Sequence, residues 1–444
     1  MPPFLALFFT IFFEIIILKI ERRQSYDIST VSWLPTIWLL YTASKGIGAW
    51  INLKSTMEEG SLPDRIFLLI IGLIGILILL KRSFNWKQAF RQTRPFIIIL
   101  SYMLVSVIWS KTPDISLRRW VRESIALIIV WLVLSEKYPS KALISIFRRI
   151  FYIGLPFSIL LIKYFGEYGR LYNRWTGEVM WIGITYHKNG LARFCIFGFM
   201  LFVWLAYQYL QKPALNRNKE KLNFFIDIGM IFLSIYILLG PQKTFSYSVT
   251  SNITLLLGLA FLGIILLAIK SNRALKPSKL VAVFCTIIII GSMLPFSNNI
   301  PILKEIPKYF NRDSTLTGRT KIWSSLVPYA KKHFLLGYGM GGFWTTSLRE
   351  LIAPHAHNGY LDAILNFGLI GLIAFVIFYL YGAIKQVNSI NYKEETAILF
   401  LAFIFMTLVH NFTESDFSEI SKFPVSSIIL CINITESNKK EEYI

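Results

Sequence analysis

Only five histidines occur in the chain, and two of them stand two residues apart in Pro354-His355-Ala356-His357-Asn358-Gly359-Tyr360-Leu361-Asp362. Here polar sequence gives way to the apolar stretch 359–384. An imidazole at the mouth of a membrane helix is suited to general-base work near neutral pH. A histidine that only bonds its own loop is the plain alternative. His355 and His357 could also ligate zinc, but no third ligand follows at a recognised spacing, so a metal site is not expected. Three more polar clusters interrupt apolar sequence. They are Tyr186-His187-Lys188-Asn189-Gly190 with Arg193, Gln242-Lys243-Thr244 with Ser246, Ser248 and Thr250, and His410-Asn411-Phe412-Thr413-Glu414-Ser415-Asp416. Polar residues between apolar spans are costly unless they line a cavity. Four such clusters meeting on one membrane face is what an external active site requires.

Upstream of the histidine pair, Thr317-Gly318-Arg319 reads as a helix start. Ile322, Leu326, Tyr329/Ala330 and Phe334 then recur at helical spacing, which predicts an amphipathic surface helix over 319–335. Arg319 in its first turn opposes the helix dipole. That placement points to an anionic partner, or to a surface pair with Asp313. Gly337-Tyr338-Gly339-Met340-Gly341-Gly342 contains G-x-G-x-x-G, but the dinucleotide fingerprint needs a preceding strand, a following helix and a later acidic residue. A tight glycine turn, able to let backbone approach a phosphate, is the better reading.

The elements that position these residues are helices in a membrane. Of 444 residues, 55% are hydrophobic and 16% charged, against about a quarter charged in a soluble domain. This excludes a soluble globular enzyme and a disordered chain. The three cysteines, Cys195, Cys285 and Cys431, lie alone in apolar stretches without metal or disulfide spacing and read as inert buried thiols. Apolar stretches of spanning character lie near 4–18, 31–53, 66–80, 96–110, 124–135, 150–165, 191–210, 224–240, 253–269, 280–296, 359–384, 396–412 and 423–434, so about 12–13 transmembrane helices are expected. The 4–18 stretch lacks the basic flank and cleavage site of a signal peptide. The fold expected is all-α: a single polytopic membrane domain over 1–444, with one long external loop, 297–358, carrying the chemical motifs.

Lys81, Arg82, Lys87, Arg91 and Arg94, then Lys137, Lys141, Arg148 and Arg149, mark one set of short connections as cytoplasmic, followed by the basic loops at 212–221 and 270–279. The formal net charge of +21 therefore does not call for nucleic acid. Yet basic residues are nearly balanced across the two sides. The external ones concentrate at 111–122, 163–193 and 304–349. Anchoring to membrane-lipid headgroups is one account of the two short loops. A basic external cavity for an anionic substrate is the other.

In family order, the segments WSKTPDISLRRW (109–120), HKNGLA (187–192), LTGRTKIW (316–323), GYGMGGFW (337–344) and NFTES (411–415) resemble the O-antigen ligase superfamily, in its exopolysaccharide-polymerase-like branch. So does the motif His357-Asn358, nine residues, Gly368, two residues, Gly371. The likeness covers most of 30–415. One departure lies at Ser246-Tyr247-Ser248-Val249-Thr250, where the family's basic residue is missing: either Lys243 replaces it or that contact is lost.

The resemblance implies a GT-C-like enzyme of the bacterial inner membrane. It would transfer glycan from a polyprenyl (undecaprenyl) diphosphate-linked oligosaccharide to a sugar hydroxyl on the periplasmic face, by metal-independent inversion and without a cofactor. The acceptor is another glycan or a lipid A core, and a polysaccharide assembly complex is a possible setting. On that reading His357 is the base, with His355 its rival. Arg319 is the first diphosphate ligand, Lys188 and Arg193 come next, and Arg122, Arg119 and Lys243 stand behind them. Asn358, Tyr360, His187 and Asn189 shape the acceptor side or its loops. A transporter or flippase of anionic lipid-linked oligosaccharide would also want basic residues, but with internal repeats and midplane charges. A non-catalytic assembly subunit is a third reading.

Overall fold

The computed structural model describes residues 1–53, 60–172, 177–240, 248–271, 274–297 and 318–434, without the side chains of 214–216, 218 and 219. Among them the chain is helical apart from one antiparallel pair of three-residue strands, β1 (Arg170–Tyr172) and β2 (Val179–Trp181). Nine of the described helices are long and apolar enough to cross a membrane. The first seven of these are α1 (Pro3–Gln24), α4 (Leu62–Lys81), α5 (Trp86–Val105, continued by a 3-10 turn to Trp109), α7 (Pro139–Tyr164), α9 (Lys188–Gln211), α10 (Ala214–Leu239) and α11 (Val249–Lys270). The other two are α12 (Pro277–Met293) and α15 (Gly359–Asn391). The chain is a multi-pass membrane protein.

Four further apolar stretches are also helices, but short or charged. The stretch 31–53 is divided into α2 (Trp33–Ala43) and α3 (Ile47–Trp50). The break falls at Ser44-Lys45-Gly46, where Asp64 accepts the backbone N–H of Ile47 at 2.7 Å and Lys45 Nζ bonds the Tyr168 carbonyl. The stretch 124–135 is the apolar half of α6 (Pro113–Leu134), whose first half carries Arg118, Arg119, Arg122 and Glu123. The last two are α16 (Thr396–His410) and α17 (Val425–Asn433). Two one-turn to two-turn helices, α8 (Gly166–Gly169) and α14 (Thr346–Leu351), sit in connections.

The core is built on α7, α9, α15 and α16. The spanning windows of α7 and α9 are 72% buried, against 17% for α1 and 22% for α11, so the first pair is central and the second faces outward. Phe147, Phe197 and Phe403 interlock across α7, α9 and α16, with ring centroids 4.9 and 5.8 Å apart. Offset and edge-on aromatic contacts of this kind hold helices together where lipid removes most of the hydrophobic drive. At one end of the bundle Arg149, fully buried on α7, pairs with Glu21 of α1 at 2.8 Å, and Arg82 pairs with Glu136 at 3.1 Å. The described residues of the four polar clusters lie toward the other end.

The amphipathic helix expected over 319–335 is α13 (Arg319–Lys332). It buries Trp323, Leu326 and Ala330 on one face, and Trp323 Nε1 donates to the Ala356 carbonyl at 2.9 Å. The histidine segment is thereby tied to α13 from one side.

Candidate functional site

The starts of α9, α11, α13 and α15 and the end of α16 are bound together at one end of the bundle. Asn358 caps α15, its Oδ1 accepting from Leu361 N at 2.8 Å. Its Nδ2 donates to the carbonyls of Gly291 on α12 and Phe412 beyond α16, both at 3.1 Å. Gly359 N donates to the Asn411 carbonyl at 2.9 Å, and the fully buried Tyr360 hydroxyl donates to Leu408 O at 2.7 Å. Asn358 and Tyr360, expected to shape the acceptor side or its loops, have their polar atoms in bonds that lock helix ends and fix the segment from which His357 projects. At α11, Thr250 Oγ1 lies 2.8 Å from Thr413 Oγ1, and Ser251 Oγ lies 3.4 Å from His410 Nε2. Parts of all four polar clusters therefore meet. Lys243, like Asp313, lies outside the described residues.

The charges at this junction are paired. Arg319 Nη2 contacts Glu414 Oε1 at 3.0 Å, and the same oxygen accepts from Asn189 Nδ2 at 2.7 Å. Arg193 Nη1 bonds Asp416, whose other neighbour is His410, with Nδ1 at 3.7 Å. Both carboxylates are nearly inaccessible. Their surroundings separate them. Burial raises the Glu414 carboxyl above its ordinary range despite Arg319. Asp416 is held well below its own, because Arg193 and His410 outweigh the burial that would raise it. His187 caps α9, its Nδ1 accepting from Asn189 N at 3.4 Å, and Lys188 is the first residue of that helix.

His357 adopts φ 51°, a left-handed conformation rare outside glycine. Its ring lies 4.0 Å from that of His355 between centroids, and its backbone N–H donates to His355 Nδ1 at 3.2 Å. His357 Nδ1 is buried with no hydrogen-bond partner among the described residues. Burial, with Arg319 and then His187 adding to it, pushes the imidazole down to about 4. His355 is pushed well below its ordinary value by burial, then by His357 and Lys422. Both rings are thus neutral near pH 7, able to accept a proton.

The glycine turn packs closely against neighbouring protein. A Cβ on Gly341 would collide with the Arg119 guanidinium, which donates from Nη1 to the Gly341 carbonyl at 2.7 Å. Gly368 breaks α15 at φ 65°, and Leu369 N and Ile370 N bond the Phe334 and Leu335 carbonyls at 2.7 and 3.2 Å. The glycine at the end of the His-Asn-x9-Gly motif therefore docks the end of the α13 segment against the same helix that His357 precedes.

The structure gathers His357, His355, Arg319, Arg193, Lys188, Asn189 and His187 around one junction. It places Arg119 at the glycine turn. Arg122 pairs with Glu123 at 2.8 Å, whose carboxylate accepts the Ser421 hydroxyl at 2.7 Å, which joins it to the 411–424 loop from behind. Sequence reasoning assigned no role to Glu414 or Asp416. A signal was present: buried arginines need counter-charges, and NFTES with Asp416 supplies the acidic residues of the segment that follows α16. Among the described residues no three His, Cys, Asp or Glu side chains gather to hold a metal ion.

Residues 237–376 match the family model described as O-antigen ligase. Over 321 residues the chain is 23% identical to the exopolysaccharide production protein ExoQ of Rhizobium meliloti (strain 1021), the match covering 67% of each chain. Residues 237–376 take in α11 to α14 and the first half of α15, with Arg319 at the start of α13 and His357 just before α15.

Proposed function

We propose that this chain, which belongs with the O-antigen ligase-like proteins of polysaccharide biosynthesis, transfers glycan from a polyprenyl diphosphate carrier to a sugar hydroxyl on the periplasmic face of a bacterial inner membrane. The observation that carries the reading is the meeting of a neutral, half-buried His357 with Arg319 and Arg193 where spanning helices end. The acceptor oxygen attacks the anomeric carbon of the donor sugar. The bond from that carbon to the phosphate oxygen breaks, and configuration inverts. His357 takes the hydroxyl proton, and Arg319 faces the charge that develops on the departing diphosphate. Positioned cations in a water-poor site can supply this stabilisation without a metal. The incoming diphosphate also opposes the effect of Arg319 on His357, raising the imidazole toward a more useful basicity.

The relative's printed name, exopolysaccharide production protein, supports a carrier-linked chain as acceptor over a lipid A core. The test is a purified full-length protein with undecaprenyl diphosphate-linked oligosaccharide. Chain lengthening without any added lipid A core is expected. Transfer only when lipid A core is supplied would make the protein a ligase; no transfer to either acceptor would defeat the reading.

A further inference from the structure

Resting on that reading, we propose that Glu414 is a counter-ion latch: it holds Arg319 in the unloaded protein, yields it to the donor diphosphate, and reclaims it as the polyprenyl diphosphate product leaves.

The two buried carboxylates of the site are not equivalent. Asp416 is held by Arg193, with His410 at 3.7 Å, and its backbone N–H is fixed on Asn411 Oδ1 at 2.9 Å. It stays ionised and keeps its arginine. Glu414 presents one oxygen to both Arg319 and Asn189, from α13 and α9. The charged groups facing it are Arg319, His410, Asp416 and Arg193, and burial still leaves its carboxyl raised. Its charge is the more readily surrendered of the two. A diphosphate reaching Arg319 brings a second, stronger anion beside Glu414, and two anions in a buried site disfavour each other's ionised forms. The carboxyl then takes a proton from solvent, Arg319 turns its donors to phosphate, and Asn189 keeps its bond to the Glu414 oxygen. No covalent bond changes in this exchange. After transfer the product still carries the diphosphate, and tight binding of it would stall turnover. Deprotonation of Glu414 restores the competing anion and expels the product.

The experiment measures binding of undecaprenyl diphosphate, without glycan, to full-length protein in detergent by calorimetry at pH 7. Two buffers of different ionisation enthalpy report the protons exchanged. Wild type should bind with proton uptake. Glu414→Gln keeps the side chain's size and its amide partners, and should bind about 10-fold tighter or more, the worth of one charge-assisted contact, with the uptake gone. Its steady-state transfer should fall through stronger product inhibition rather than through a slower first turnover. Equal or weaker binding by folded Glu414→Gln, or unchanged uptake, overturns the latch. If that variant does not fold, Glu414→Asp carries the test, since its shorter carboxylate withdraws from Arg319. Tighter binding supports the latch, and equal or weaker binding overturns it. Should wild type bind undecaprenyl diphosphate no better than the neutral polyprenol, the donor reading itself fails. A wild type that prefers the diphosphate, with variants that match it, removes only the latch.

Discussion

His355 Nδ1 accepts the backbone N–H of His357, so the two histidines of the pair have different work. His355 spends a ring nitrogen on holding its neighbour's backbone in the left-handed conformation. His357 keeps its buried Nδ1 out of protein hydrogen bonds among the described residues, and sits beside Arg319. If His357 is the base, His357→Ala should lower glycan transfer by about 10²–10⁴. Donor lipid binding should stay within a few-fold of wild type. His355→Ala should retain measurable transfer and lose thermal stability. Normal turnover by His357→Ala, in a purified assay, would remove the assignment.

The backbone at His357 offers a separate test of strain. A residue with a Cβ in the left-handed region pays about 1–2 kcal/mol that glycine does not. His357→Gly and His357→Ala delete the same imidazole, so they should be equally inactive. The glycine variant should nevertheless unfold about 1 kcal/mol later. Equal unfolding midpoints in detergent would mean that φ 51° is not retained or not strained.

Much of this arrangement was legible in the sequence because it is local. Hydropathy located the spans, the helical spacing after Arg319 located α13, and the spacing from His357-Asn358 to Gly368 marked the two ends of a helical segment that anchors the site. What the sequence left open depends on residues far apart in the chain. Arg319 finds Glu414 95 positions away, and Arg193 finds Asp416 223 positions away. No periodicity encodes such pairings; they follow from burial, which forces each cation to find a carboxylate. The same holds for Tyr360, whose hydroxyl bonds the α16 backbone at Leu408, 48 positions away.

Stability should fall in acid through a window set by the histidines. The His357 imidazole is depressed to about 4 in the folded protein, from an ordinary 6.5. Between these values the unfolded chain binds a proton that the folded state refuses, so the unfolded state gains as pH falls. The contribution is level above about pH 6.5 and again below about 4. Thermal unfolding of wild type in detergent should therefore move down steadily over that range, and His357→Gln should slope less. Parallel slopes would show that the imidazole titrates normally in the folded protein.

The face on which the site lies can be read chemically. Ser297 is exposed just beyond α12, on the side of the bundle where the four clusters meet. A Ser297→Cys variant in intact spheroplasts should react with an impermeant thiol reagent. Protection before lysis and labelling after it would reverse the orientation and move the site to the cytoplasm.

Arg319 should not be replaceable by lysine. Its Nη2 is engaged by Glu414, and a planar fork can turn several donors toward a carboxylate and a diphosphate in one geometry. Lysine offers one nitrogen, and it cannot contact Glu414 and phosphate in the same geometry. Loss of one charge-assisted hydrogen bond costs about 1.5–3 kcal/mol, so Arg319→Lys should bind undecaprenyl diphosphate about 10- to 100-fold more weakly. Arg122→Lys, in a residue whose hydrogen-bonded partner is Glu123 behind the 411–424 loop, should change binding much less. A binding constant for Arg319→Lys within threefold of wild type would reduce Arg319 to a generic positive charge, and a larger loss in Arg122→Lys would move the diphosphate toward α6.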